Sequence, residues 1–138
     1  MNEDSPSNPH GGSAGEFRHY TYFRSAILVL LKEYDSHGYE LVDRLAEVGF
    51  DSRDSRDSAS IYRMLRAMDK EGLTTSSWDV SKVGPPRRVY AITAEGNRYL
   101  RDSKSSLVRQ RDALDALLQR YDRVETTGLQ GLGASARR

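Results

Sequence analysis

The chain has 138 residues, with 21 lysines and arginines against 20 aspartates and glutamates, for a formal net charge of +1. So balanced a charge excludes a generic polyanion binder, and the absence of cysteine excludes disulfides, thiolate metal sites and cysteine nucleophiles. The length suits one domain with a modest core. No apolar run nears the ~20 residues that span a bilayer, and the N-terminus lacks the apolar stretch of a secretory signal, so a cytoplasmic protein is expected.

Residues 1–16 hold Asn, Ser, Pro and Gly with almost nothing apolar, and are expected to form a disordered tail. Glu3 and Asp4 argue against a basic arm there. A first helix is predicted over 17–34, where Tyr20, Phe23, Ile27, Leu30, Leu31 and Tyr34 keep to one face as a packing stripe. His37-Gly38 turns the chain into a second helix over 39–48, with Leu41, Val42, Leu45 and Val48 facing the core. Tyr39 suits either a phosphate contact or packing with its hydroxyl at the surface. His37 has no ligand partner at metal spacing. Residues 49–57 read as a solvated loop in which Asp51, Asp54 and Asp57 offset the arginines.

Ser58 is placed as the N-cap of a third helix. Ile61, Leu65 and Met68 form its apolar face, and Ala59, Arg63, Arg66 and Lys70 fall on another stripe that turns cationic. Gly72 ends it in a left-handed C-cap. Residues 74–80 and 88–93, rich in β-branched and aromatic side chains, read as two strands. Between them a turn, stiffened by Pro85-Pro86, carries positive charge at its tip. Trp78 and Tyr90, on these strands, are expected to pack against the helices. Over 58–93 there are six cations (Arg63, Arg66, Lys70, Lys82, Arg87, Arg88) against three acids (Asp69, Glu71, Asp79).

Helix, strand, basic turn, strand is the back half of a winged helix-turn-helix. The fold expected is mostly α with a small β-hairpin. Ser58, Ser60, Tyr62 and Arg63 then lie toward the helix end that approaches base edges, where an arginine can grip guanine bidentately. Arg66 and Lys70 suit phosphates, as do Lys82, Arg87 and Arg88 on the wing, with the neighbouring minor groove as a second target. Tyr39 completes the candidate DNA-binding set.

Thr93 is placed as the cap of a last helix over 94–124, with Glu95 near its positive end. Leu100, Leu107, Leu114 and Tyr121 recur every seven residues. Leu117 and Val124 make a partial second column, interrupted by Ser103 and Gln110. A short helix–helix seam is predicted, and so a homodimer reading an inverted repeat. The organisation expected is a tail over 1–16, a DNA-binding domain over 17–93, a dimerisation helix over 94–124 and a disordered tail over 125–138.

Several phrases in this order resemble one family. They are His37-Gly38-Tyr39-Glu40-Leu41, Ser60-Ile61-Tyr62-Arg63-Met64-Leu65, Glu71-Gly72-Leu73, Trp78-Asp79, Gly84-Pro85-Pro86-Arg87-Arg88-Val89-Tyr90 and Ile92-Thr93-Ala94-Glu95-Gly96. Spread over about residues 23–100, they look like the PadR family of bacterial transcriptional regulators. The departure is Ala59-Ser60, where the family often has Gly-Thr; the hydroxyl is kept. The resemblance implies a dimeric DNA-binding regulator, a repressor, with the last helix pairing two copies. In some members a small molecule acting near the dimer interface releases DNA.

Arg109, Asp112, Arg120 and Asp122 on the last helix are candidate effector residues, because such pairs can bond both edges of a guanine nucleotide. The plainer alternative is surface ion pairs worth a few tenths of a kcal/mol. No cofactor or metal is implied. An enzyme is not expected, since His10, His19 and His37 are the only histidines and no nucleophile–base pattern stands out. The rival reading is a winged helix that contacts protein alone.

Overall fold

The computed structural model describes residues 14–50, 55–81 and 83–131, with the side chains of 20–50, 58–81 and 83–128. The first helix, α1, spans Ala14–Glu33. A two-residue strand β1, Ser36–His37, leads into α2, Gly38–Leu45, and a 3-10 turn over Ala46–Val48. Helix α3 spans Ser55–Lys70, strands β2 and β3 span Thr74–Asp79 and Arg87–Ile92, and α4 runs over Ala94–Gly131. The chain divides into two compact units, the first ending at Arg101 and the second beginning at Asp102.

In the first unit the predicted apolar faces converge. Ile27, Leu28, Leu30 and Leu31 of α1, Leu41 and Leu45 of α2, and Ile61, Leu65 and Met68 of α3 form one buried cluster with Leu73 and Tyr90. Each such side chain contributes about 1.5–3 kcal/mol on leaving water. Tyr20 and Tyr34, the ends of the predicted α1 stripe, are exposed. The buried Arg44 of α2 donates to the Ser36 hydroxyl, the Leu30 carbonyl (2.7 Å) and Glu33 Oε2 (2.8 Å), under the Tyr34 ring at 3.7 Å. These partners offset the cost of burying its charge.

The sheet has three antiparallel strands in the order β1-β3-β2. β1 was not foreseen: Ser36 pairs with Tyr90 and His37 with Val89, so the segment before α2 seals one edge of the hairpin. β2 and β3 pair from Thr74 opposite Ile92 to Asp79 opposite Arg87.

Both predicted caps after α3 form. Gly72 takes φ of 80°, Leu73 N–H donates to the Met68 carbonyl (3.0 Å) and Gly72 N–H to that of Asp69 (3.1 Å). This is a left-handed terminus with both orphan carbonyls satisfied. Thr93 Oγ1 accepts from Gly96 N–H (3.0 Å) and donates to the Gly72 carbonyl (2.6 Å), so one hydroxyl caps α4 and ties it to the end of α3.

Three boundaries differ from expectation. Ser58 lies inside α3, which starts at Ser55, and so is not its N-cap. The segment 55–57 carries no glycine or proline to stop a helix growing backward. α1 starts at Ala14, inside the expected tail. α4 continues past Val124 to Gly131, because Glu125 to Gln130 offer no proline and a single glycine. The remainders of the expected tails, 1–13 and 132–138, lie outside the described residues, as do loop positions 51–54. Among the described residues, no helix is long and apolar enough to cross a membrane.

Candidate nucleic-acid interface

Arg63, Arg66 and Lys70 stand exposed along α3 at helical spacing. Arg63 makes a long 3.3 Å hydrogen bond to Ser60 Oγ within its own helix. Tyr62 divides its side chain between roles. Its ring lies over the Gly38 backbone at the start of α2, so close that a Cβ on Gly38 would fall 2.6 Å from Cε1. The rest of the ring reaches solvent. Ser58 is half-buried one turn earlier.

The wing is fastened to α2 through the edge of the sheet facing away from α3. Arg87 donates to the Tyr39 hydroxyl (2.9 Å) with its guanidinium 5.1 Å from that ring. His37 stacks on Tyr39 at 5.4 Å, its Nδ1 3.1 Å from Glu40 Oε1 and its Nε2 3.2 Å from Asp79 Oδ2. Tyr39 is therefore a bracket for the wing arginine with its face still exposed. Of the two roles weighed for it, these contacts are those of packing with the hydroxyl at the surface.

The three acids of this segment are all engaged. Asp69 turns toward the sheet and accepts from Thr74 (2.5 Å) and Ser76 (2.5 Å). Glu71 pairs with the buried Arg24 of α1. Asp79 accepts from the hydroxyl (2.5 Å) and amide (3.0 Å) of Ser81. Those two bonds, joined by His37, hold its carboxyl down at about 2. With the acids engaged by internal partners, Arg63, Arg66, Lys70 and Arg88 stay exposed around them. Lys82 lies outside the described residues.

Of the two hairpin aromatics expected to pack, Tyr90 does, at 4% exposure, and burial pushes its hydroxyl pKa up. Trp78 does not: it is 63% exposed, with Arg88 lying 5.5 Å from its ring. The inner positions of β2 meet α3, but the hairpin projects beyond the helix before Trp78 is reached.

In the second unit Leu114, Leu117, Leu118, Tyr121 and Val124 are 58–64% exposed on α4, while Leu107 is half-buried. The four candidate effector residues are all exposed. Asp112 is held by its neighbour Arg111 (3.1 Å) rather than by Arg109.

A helix pair joined to a small hairpin, with exposed cations and with acids hydrogen-bonded within the chain, defines a winged helix-turn-helix regulator. The model of the transcriptional regulator PadR-like family matches residues 27–102, and the chain belongs to that family. It is a transcriptional regulator, not an enzyme. The fold is similar to that of a PadR-like regulator of Bacillus cereus ATCC 14579 (32% identity, TM-score 0.59, covering 70% of this chain and 91% of that one). It is also similar to a PadR family regulator of Eggerthella lenta DSM 2243 (31%, TM-score 0.57, 75% and 82%). A conserved protein of unknown function, a potential transcription factor, aligns at 38% identity with a TM-score of 0.63 over 84% and 98%. No curated protein matches the chain.

Proposed function

We propose that this protein is a cytoplasmic, sequence-specific DNA-binding repressor that reads an inverted-repeat operator as a homodimer. The observation that carries the reading is the exposure of Arg63, Arg66, Lys70 and Arg88 around α3 and the wing, while Asp69, Glu71 and Asp79 are engaged by Thr74 and Ser76, Arg24, and Ser81. A surface so sorted releases counterions from phosphates although the whole chain is close to neutral. Arg63 takes the base-reading role, Arg66, Lys70 and Arg88 grip phosphates, and Tyr39 with Arg87 seats the wing. Exposed leucines on α4 supply the dimer contact, and a two-fold axis then pairs two heads with two half-sites. The direction of control and its relief by a small-molecule effector near the paired helices rest on the family.

The test is selection of bound fragments from genomic DNA with the purified chain, followed by gel shifts on the enriched site. A two-fold-symmetric consensus is expected, with log affinity falling against log salt by about 0.9 per phosphate contacted. Lack of enrichment would favour a winged helix that docks protein. That second reading draws on the exposed Trp78, Val80 and Val83 of the hairpin.

A further inference from the structure

An exposed tryptophan on a small domain needs a reason, because indole is among the groups that gain most from leaving water. Alternation along the hairpin gives Trp78 a definite neighbourhood. On β2, Thr74 and Ser76 point at Asp69 of α3, so Trp78, two residues on, shares their face. On β3 the opposite positions are Ile92, Tyr90 and Arg88. This face therefore runs outward from buried Tyr90 to the Trp78–Arg88 pair. At its outer end the exposed Arg88 guanidinium, 5.5 Å from the indole, puts a cation beside the ring.

We propose that Trp78 is a specificity-determining residue that reads the minor groove beside the major groove occupied by α3, an assignment that rests on the DNA-binding function proposed above. The indole offers a flat apolar body to deoxyribose and a single N–H donor with no acceptor. In the minor groove, A·T pairs present only acceptors, whereas G·C adds a donor that would oppose the indole N–H. Arg88, stacked on the ring, supplies the charge that a narrow, electronegative A·T groove attracts. Val80 and Val83, exposed beyond Trp78, add apolar contact with the sugar edge. The charge beside this patch selects DNA over an apolar protein groove as its occupant.

Trp78 is the only tryptophan of the chain, so its emission reports on this contact without ambiguity. The full-length protein is titrated with a fluorescein-labelled duplex of the selected site and with a scrambled duplex, and binding is followed by anisotropy. Acrylamide quenching of the tryptophan is measured free and bound. On the selected site, the quenching constant should fall about threefold or more as DNA covers the ring. Trp78→Phe keeps a ring but lacks the donor. It should weaken the selected site about tenfold, abolish an A·T preference flanking each half-site, and leave the scrambled duplex within about twofold. DNA bound with unchanged quenching, or Trp78→Phe with the wild-type A·T preference, overturns this proposal and leaves the DNA-binding function standing. Failure to bind either duplex overturns both.

Discussion

At the residue scale, two glycines near the α3–α4 junction serve for different physical reasons. Gly72 sits at φ of 80° with open space around it, so Gly72→Ala pays only for the left-handed backbone, about 1 kcal/mol. Gly96 is crowded: a Cβ there would stand 2.1 Å from the Leu73 carbonyl oxygen. Backbone cannot swing away as a side chain can, so Gly96→Ala should cost about 3 kcal/mol or fail to fold. Urea denaturation midpoints of the two variants check the order. Arg63 differs from both, since its exposed guanidinium has little to do with folding. Arg63→Ala should keep the wild-type melt, lose about 1–3 kcal/mol on the selected site and relax preference at one position. Arg66→Ala with Lys70→Ala, which remove phosphate contacts, should instead weaken all sequences alike and flatten the salt slope. Gel shifts on specific and scrambled duplexes separate the two; equal losses from Arg63→Ala would rule out base reading by that side chain.

At the scale of elements, the hairpin and α4 each make a prediction. Asp79 ends β2 and reaches across β3 to His37 of β1, just before α2. Its carboxyl titrates at about 2 instead of the ordinary 3.8, held first by the Ser81 hydroxyl, then by the Ser81 amide and by His37. A folded pKa below the unfolded one stabilises the fold above about 3.8, and that contribution drains as pH falls through about 2. Asp79→Asn removes it, so thermal melts of the variant should change less over that window than those of wild type. Along α4 the prediction concerns association. Leucines left open on successive turns need a partner surface. Leu107→Asp with Leu114→Asp should give monomers by light scattering; an unchanged dimer mass would remove α4 from the interface. The helices, the caps at Gly72 and Thr93 and the cationic stripe were legible in the sequence, since each is set by residues within a turn or two of one another; the cap placed at Ser58 was not, because the helix grew back to Ser55. β1, the burial of Arg44 and the exposure of Trp78 were not. They depend on partners such as His37 and Asp79, 42 positions apart, or on how far a hairpin outreaches the helix beneath it.

At the scale of the whole molecule, the near-zero net charge of +1 conceals a segregated one, and this separates specific from indiscriminate binding. A uniformly basic chain would hold any duplex. Here residues 58–93 gather six cations against three acids, so affinity for random DNA should collapse before affinity for the proposed operator as salt rises. The shared hydroxyl of Thr93 caps α4 while bonding the Gly72 carbonyl just past α3, so the two helix ends are joined through one side chain. Thr93→Val should therefore loosen the end of α3 and the start of α4 together, one missing hydroxyl registering at two helix ends.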